Sequence, residues 1–75
     1  MPKLPAVNGK HAVKAFQKAG FFVARVDGSH HVMKKEGHPK LLTVPIHGSQ
    51  NVAPGTLRAL ISASGMTIDE FCKFL

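Results

Sequence analysis

The sequence predicts a small α+β domain with the order α-β-β-β-α and a short C-terminal helix. Three observations favour this class. Apolar residues recur at helical spacing at both ends of the chain, the middle holds short strand-forming segments, and Gly- or Pro-containing breaks separate those segments. Short connections between successive strands imply an antiparallel three-stranded sheet with the helices on one face. We expect 1–75 to form a single domain.

The first helix is predicted over residues 9–19. Asn8 is a suitable N-cap, and Gly20 is a suitable residue to follow the last turn. Between them, apolar side chains occupy one face and lysines recur at i, i+4 and i+8 on another. These residues are Ala12, Val13, Phe16 and Ala19 on the apolar face, and Lys10, Lys14 and Lys18 on the other.

Three strands are predicted in the middle of the chain, over residues 21–26, 29–35 and 40–46. Asp27-Gly28 is a turn signal between the first two strands, and a polar break with Gly and Pro separates the second from the third. Pro45 lacks an N–H group, which predicts that the third strand lies at an edge or that its pairing ends there.

Two helices are predicted after the sheet. Pro54 suits the first turn of the longer one, which carries an apolar stripe and ends at Gly65. Thr67 and Glu70 have the T-x-x-E spacing of a capping box for the last short helix. With the helices on one face of the sheet, the other face is left largely open.

The charge of the chain favours a nucleic-acid partner. Ten Lys and Arg residues face four Asp and Glu residues, giving a net charge of +6. A small domain this basic is most often a nucleic-acid binder, although solubility or an acidic protein partner would also account for the charge. No apolar run approaches membrane-spanning length and the one cysteine has no partner, so we expect a cytoplasmic protein.

The histidines are poorly arranged for metal chemistry. His30 and His31 are adjacent in a predicted strand and so point to opposite faces, and no Cys pair or H-E-x-x-H helix is present. Asp27 and Glu36, the only acids in the first 68 residues, flank opposite ends of that strand. We therefore expect neither a zinc site nor a two-magnesium nuclease site, and no cofactor.

Metal-free RNA cleavage requires no metal ligands, only groups that transfer protons and bind phosphate. A base must take the proton from a ribose 2′-OH, cations must stabilise the phosphorane, and an acid must protonate the leaving oxygen. Histidine can serve as base or acid near neutral pH. Gly28 allows a close backbone approach and Ser29 offers a hydroxyl beside His30. An exposed histidine without a catalytic role remains the ordinary alternative.

The chain resembles the HicA-type toxins, the small mRNA interferases of HicA–HicB toxin–antitoxin systems. The resemblance extends over nearly the whole chain. The matching segments are KAGF at 18–21, Arg25, GSHH at 28–31, TVPIH at 43–47, GTLRALI at 55–61 and SGMTIDEF at 64–71. No short piece is decisive, but their order and spacing together are specific.

The resemblance implies a fold like that of double-stranded-RNA-binding domains, cleavage of mRNA, growth arrest and neutralisation by a HicB-like antitoxin in an oligomeric complex. It also implies that the functional histidine is the first after Gly-Ser, which is His30. We expect the backbone at Gly28 and Ser29 to position phosphate. The cations expected to bind RNA electrostatically are Lys34, Lys35, Lys40 and, more weakly, Arg25.

Two questions stay open at this level. The second proton-transfer group could be His31, His47 or water. The alternation of residues along the strand also leaves it undecided on which face of the sheet His30 lies.

Two other functions compete with RNA cleavage. One is a non-catalytic RNA-binding module of the same fold, which would read the shape of A-form RNA, and the other is a domain that binds an acidic protein.

Overall fold

The structure, a computed structural model, describes residues 3–75 and has the predicted order of elements. A three-stranded antiparallel sheet follows the first helix and precedes two more. The elements are α1 (Gly9–Lys18), β1 (Phe22–Asp27), β2 (His30–Lys34), β3 (Leu42–Pro45), α2 (Pro54–Ala63) and α3 (Ile68–Cys72). The α+β class with a short C-terminal helix is confirmed, and each predicted strand is shortened or shifted by one or two residues.

Local chemistry at the helix ends agrees with the prediction. The Asn8 side chain accepts a hydrogen bond of 2.9 Å from the His11 backbone N–H, and Pro54 is the first residue of α2. Gly20 and Gly65 follow α1 and α2 with φ of 106° and 82°, a conformation that favours glycine.

The capping box at the start of α3 is also present. The Thr67 hydroxyl accepts from the Glu70 backbone N–H at 3.1 Å, and the Thr67 backbone N–H donates to the Glu70 carboxylate at 2.9 Å. That backbone N–H, followed by the Thr67 hydroxyl, holds the pKa of Glu70 below its usual value of 4.5. The stabilisation is therefore present above pH 4.5 and is lost as the pH falls through the lowered pKa.

The sheet has the order β1-β2-β3, so β2 is central and both neighbours are edge strands. The pairing of β3 with β2 ends where His30 faces Pro45. An edge position tolerates the missing N–H of a proline, which is the reason the sequence predicted it. The register of β1 against β2 shifts between Val23 and Arg25, where a bulge adds one residue to β1.

The core lies between one face of the sheet and the helices. α1 packs against β1 and β3, and α2 packs against β3 and α3. The largest fully buried side chains come from all three helices and from β2 and β3: Phe16, Phe71, Met33, Leu42, Leu57, Ile61 and Val44. Because every helix contributes to this one cluster, the opposite face of the sheet carries no helix.

Gly9 marks the closest approach between α1 and the end of β3. A Cβ atom built on Gly9 would collide with the backbone carbonyl oxygen of Pro45, and it would lie 2.9 Å from the Cα atom of Ile46. The first turn of α1 can therefore rest against this backbone only because residue 9 has no side chain. This contact fixes the segment that leads from β3 into the next loop.

Candidate active site

The pairing of the strands shows on which face of the sheet each of the two adjacent histidines lies. Met33 and Leu42 are paired and fully buried in the core. His31 lies on the same side of the sheet as Met33, because every second residue of a strand points to the same face. His31 is half-buried against α1, and its Nδ1 atom is buried with no hydrogen-bond partner among residues 3–75. His30 is exposed and projects from the open face.

The open face is mostly polar. Cross-strand pairing places Arg25 and Thr43 beside Val32, and Asp27 and Pro45 beside His30. Val32 is buried although it does not belong to the core cluster. The open face is defined hereafter by the residues that pairing assigns to it: Phe22, Arg25, Asp27, His30, Val32, Lys34, Thr43 and Pro45.

A two-residue turn, Gly28-Ser29, holds His30 at one end of β2. Gly28 has φ of 59° and Ser29 does not have a positive φ, as in type II′ hairpin turns with glycine at the first central position. A Cβ atom on Gly28 would meet no atom within 4 Å, so its backbone faces open space on that side. The turn therefore offers an accessible backbone next to an exposed imidazole.

His47 is the residue that the structure brings to His30. Its ring centroid lies 6.4 Å from that of His30, with the two ring planes at 81°. Sequence reasoning placed His47 in a loop and left it, with His31 and water, as one of three candidates for the second proton-transfer group. The signal that could have found it is register: with His30 paired to Pro45, a histidine two residues after Pro45 is a diagonal neighbour on the same face.

A hydrogen bond beyond the last ladder pair connects the segments that carry these two histidines. The Ile46 backbone N–H donates to the Ser29 carbonyl at 2.7 Å. His30 follows Ser29 and His47 follows Ile46, so each imidazole is attached directly next to one end of this bond. Its short length is that of a well-formed backbone hydrogen bond, which fixes the relative position of the two segments.

The predicted RNA-binding cations are distributed around the sheet. Arg25 lies on the open face and forms a 2.9 Å ion pair with Asp27, with both side chains largely exposed. Lys34 lies on the same face at the far end of β2, four residues from His30, which corresponds to roughly 13 Å along a strand. At such a separation, Lys34 and His30 are too far apart to contact the same small group.

Lys35 and Lys40 do not join His30 on the open face. The Lys35 ammonium lies 5.6 Å from the centroid of the Phe21 ring, near the end of α1. Lys40 is exposed in the connection between β2 and β3. Both cations remain on the surface, at a distance from the pair of histidines.

His38 has a structural environment. It is half-buried, its Nε2 atom donates to the Ala63 carbonyl at 2.6 Å, and its ring packs edge-on against Phe21 with centroids 5.4 Å apart. The imidazole therefore holds the loop between β2 and β3 against the end of α2. This contact accounts for a histidine that the sequence placed only in a loop.

Within residues 3–75, no three His, Cys, Asp or Glu side chains are grouped so that they could hold a metal ion.

None of the described helices is long and apolar enough to cross a bilayer.

The chain matches the model of a known family. A family model described as the HicA toxin of bacterial toxin–antitoxin systems matches residues 9–66 of the 75-residue chain. The matched segment begins with α1 and ends after α2, so it includes the whole sheet and both histidines. No curated protein sequence matches the chain significantly.

Proposed function

The chain belongs to the HicA toxins of bacterial toxin–antitoxin systems, and from that premise we propose that it is a metal-independent endoribonuclease that cleaves mRNA. The observation that carries this proposal is the exposure of His30 on the open face of the sheet, beside the Gly28-Ser29 turn. A titratable side chain in that position can reach an RNA strand laid across the face, while the turn offers backbone N–H groups to a phosphate.

The reaction is an intramolecular transesterification. His30 takes the proton from a ribose 2′-OH, or protonates the leaving 5′-oxygen, as general base or general acid. The 2′-oxygen forms a bond to phosphorus, and the bond from phosphorus to the 5′-oxygen breaks. The products are a 2′,3′-cyclic phosphate and a 5′-hydroxyl end. Cations and the backbone at Gly28 and Ser29 stabilise the negative charge that develops on the phosphorane.

The test is an RNA cleavage assay with the purified protein in the presence of a chelator. We expect cleavage, with 2′,3′-cyclic phosphate at the 3′ ends of the fragments. RNA that is bound but stays intact would instead identify the chain as a non-catalytic RNA-binding module. Cleavage that stops when the chelator is added would contradict the metal-independent mechanism.

RNA binding is expected to depend strongly on salt. Phosphate contacts by lysines release counterions, so log affinity falls linearly with log salt concentration. Replacing Lys34 and Lys35 together by alanine should flatten that slope and weaken binding to all RNA sequences alike, as measured by titration at several salt concentrations. Lys73→Ala, after the last residue of α3, is the matched control and should keep the slope. An unchanged slope in the double variant would rule out these lysines as phosphate contacts.

The partner of this toxin is proposed to be a HicB-like antitoxin that covers the open face. The net charge of +6 should speed the encounter with an acidic surface on the antitoxin. An antitoxin that covers His30 would then prevent RNA from reaching it. Histidine modification by diethyl pyrocarbonate, followed by mass spectrometry, should label His30 in the free toxin and spare it in the complex. His11, exposed on α1, is the internal control. Equal labelling of His30 in both states would favour an indirect mechanism of inhibition.

A further inference from the structure

We propose that His47 is the second proton-transfer residue and that it forms a base–acid pair with His30. This inference rests on the proposed ribonuclease function and specifies which residue completes the site. Cleavage by transesterification needs one proton removed and another delivered, and a single imidazole at the start of β2 supplies only one of these transfers at a time.

The distance between the two rings suits a phosphate between them. Each proton transfer needs a donor–acceptor distance of about 2.6–3.2 Å, so two imidazoles acting on the attacking and leaving oxygens of one phosphate must be several ångströms apart. The centroid separation of 6.4 Å is of that size. It is also too long for the two rings to share a proton directly, so both remain available to a substrate.

His47 is held in place from both sides although it lies outside the regular strands. On its N-terminal side, the Ile46 N–H donates to the Ser29 carbonyl at 2.7 Å. On its C-terminal side, the Gln50 N–H donates to the His47 carbonyl at 3.1 Å, and the Val52 N–H donates to the Val7 carbonyl at 2.9 Å. A side chain on a loop fixed in this way can keep the geometry that acid–base catalysis requires.

The other histidines are excluded by their positions. His31 lies on the opposite side of the sheet, and His38 is hydrogen-bonded to Ala63 at the end of α2. His11 is on α1, which packs against the core side. Of the five histidines, His47 is therefore the one that shares a surface with His30.

The two roles balance in protons. The neutral imidazole of the pair accepts the proton of the 2′-OH, the P–O2′ bond forms, the P–O5′ bond breaks, and the protonated imidazole gives its proton to the 5′-oxygen. The pair ends with its protonation states exchanged, and proton exchange with water restores them. The charged groups on the same face of the sheet as His30 are Arg25 and Asp27 from β1 and, at the far end of β2, Lys34.

The experiment compares the wild type with His30→Ala, His47→Ala and His47→Gln in single-turnover cleavage across pH, with a chelator present. His47→Gln keeps a hydrogen-bonding side chain but cannot transfer a proton, so it separates catalysis from a structural role. We expect a bell-shaped profile for the wild type and about 10²- to 10⁴-fold slower cleavage in each His47 variant, with one limb of the bell lost. His11→Ala should match the wild type.

An RNA with sulfur in place of the bridging 5′-oxygen assigns the roles, because a thiolate leaves without protonation. It should restore fast cleavage in the variant that lacks the acid and not in the variant that lacks the base. If both His47 variants cleave at the wild-type rate with a bell-shaped pH profile while His30→Ala is inactive, His47 is not the second proton-transfer residue. The proposed ribonuclease function would not be affected by that result. RNA left intact by the wild type would overturn the proposed function, and this inference with it.

Discussion

Replacing His30 by alanine is expected to abolish RNA cleavage and growth arrest while the domain stays folded. The side chain is exposed at the start of β2, so its removal leaves no cavity in the core. In the proposed mechanism His30 transfers a proton and does not bind phosphate as a cation, so RNA binding should be largely retained. Loss of one general acid or base slows a reaction by about 10²- to 10⁴-fold.

The measurement is cleavage of RNA by folded His30→Ala, together with colony growth on induction. His31→Ala is the matched variant at the neighbouring position, and it should keep at least partial activity because His31 lies on the core side of the sheet. Circular dichroism and an RNA-binding titration establish that both variants fold and bind. Full activity in His30→Ala would refute the assignment.

Gly9→Ala is expected to reduce both stability and activity. The new methyl group would press on the backbone of Pro45 and Ile46, and a backbone cannot move aside as a flexible side chain can. Overpacking of this kind costs about 1–3 kcal/mol, a large part of the roughly 4–11 kcal/mol expected for a domain of this length. Because His47 follows Ile46, the same displacement disturbs the histidine pair, and a shift of about 1 Å lowers a rate by about 10²-fold.

Thermal unfolding and cleavage per folded molecule measure the two effects separately. Gly55→Ala is the matched control, since Gly55 also lies in the first turn of a helix but a Cβ atom there would meet nothing within 4 Å. Alanine should leave stability unchanged at that position or raise it by up to about 1 kcal/mol. A Gly9→Ala protein as stable and as active as Gly55→Ala would contradict the close contact between α1 and the end of β3.

The order of elements was predictable because the residues that start and stop each element act locally. Asn8 caps α1 through its own side chain, and Thr67 and Glu70 form their capping box within one turn. Pro45 limits strand pairing wherever the strand lies. Such effects depend on chain neighbours alone, so they are legible in the sequence.

The segments Ser29–Lys35 and Lys40–Ile46 were predicted longer than the strands β2 and β3. Strand ends depend on which residues of the neighbouring strand remain within reach, and pairing stops at His30 and Pro45 on one side. The cations expected to bind RNA are also only partly free to do so, since Arg25 is paired with Asp27 and Lys35 lies over Phe21.

The sequence by itself determined the fold class, the turn at Gly28 and the presence of an imidazole after it. Only the tertiary structure decided which of His30 and His31 faces the open side, because each alternating set in β2 mixes polar and apolar residues. It also decided that His47 lies beside His30. That proximity depends on the register of β3 against β2, which is fixed by the burial of Met33, Leu42 and Val44 against the helices. Register is a property of residues distant in the chain that share one core, and no local pattern around position 47 encodes it.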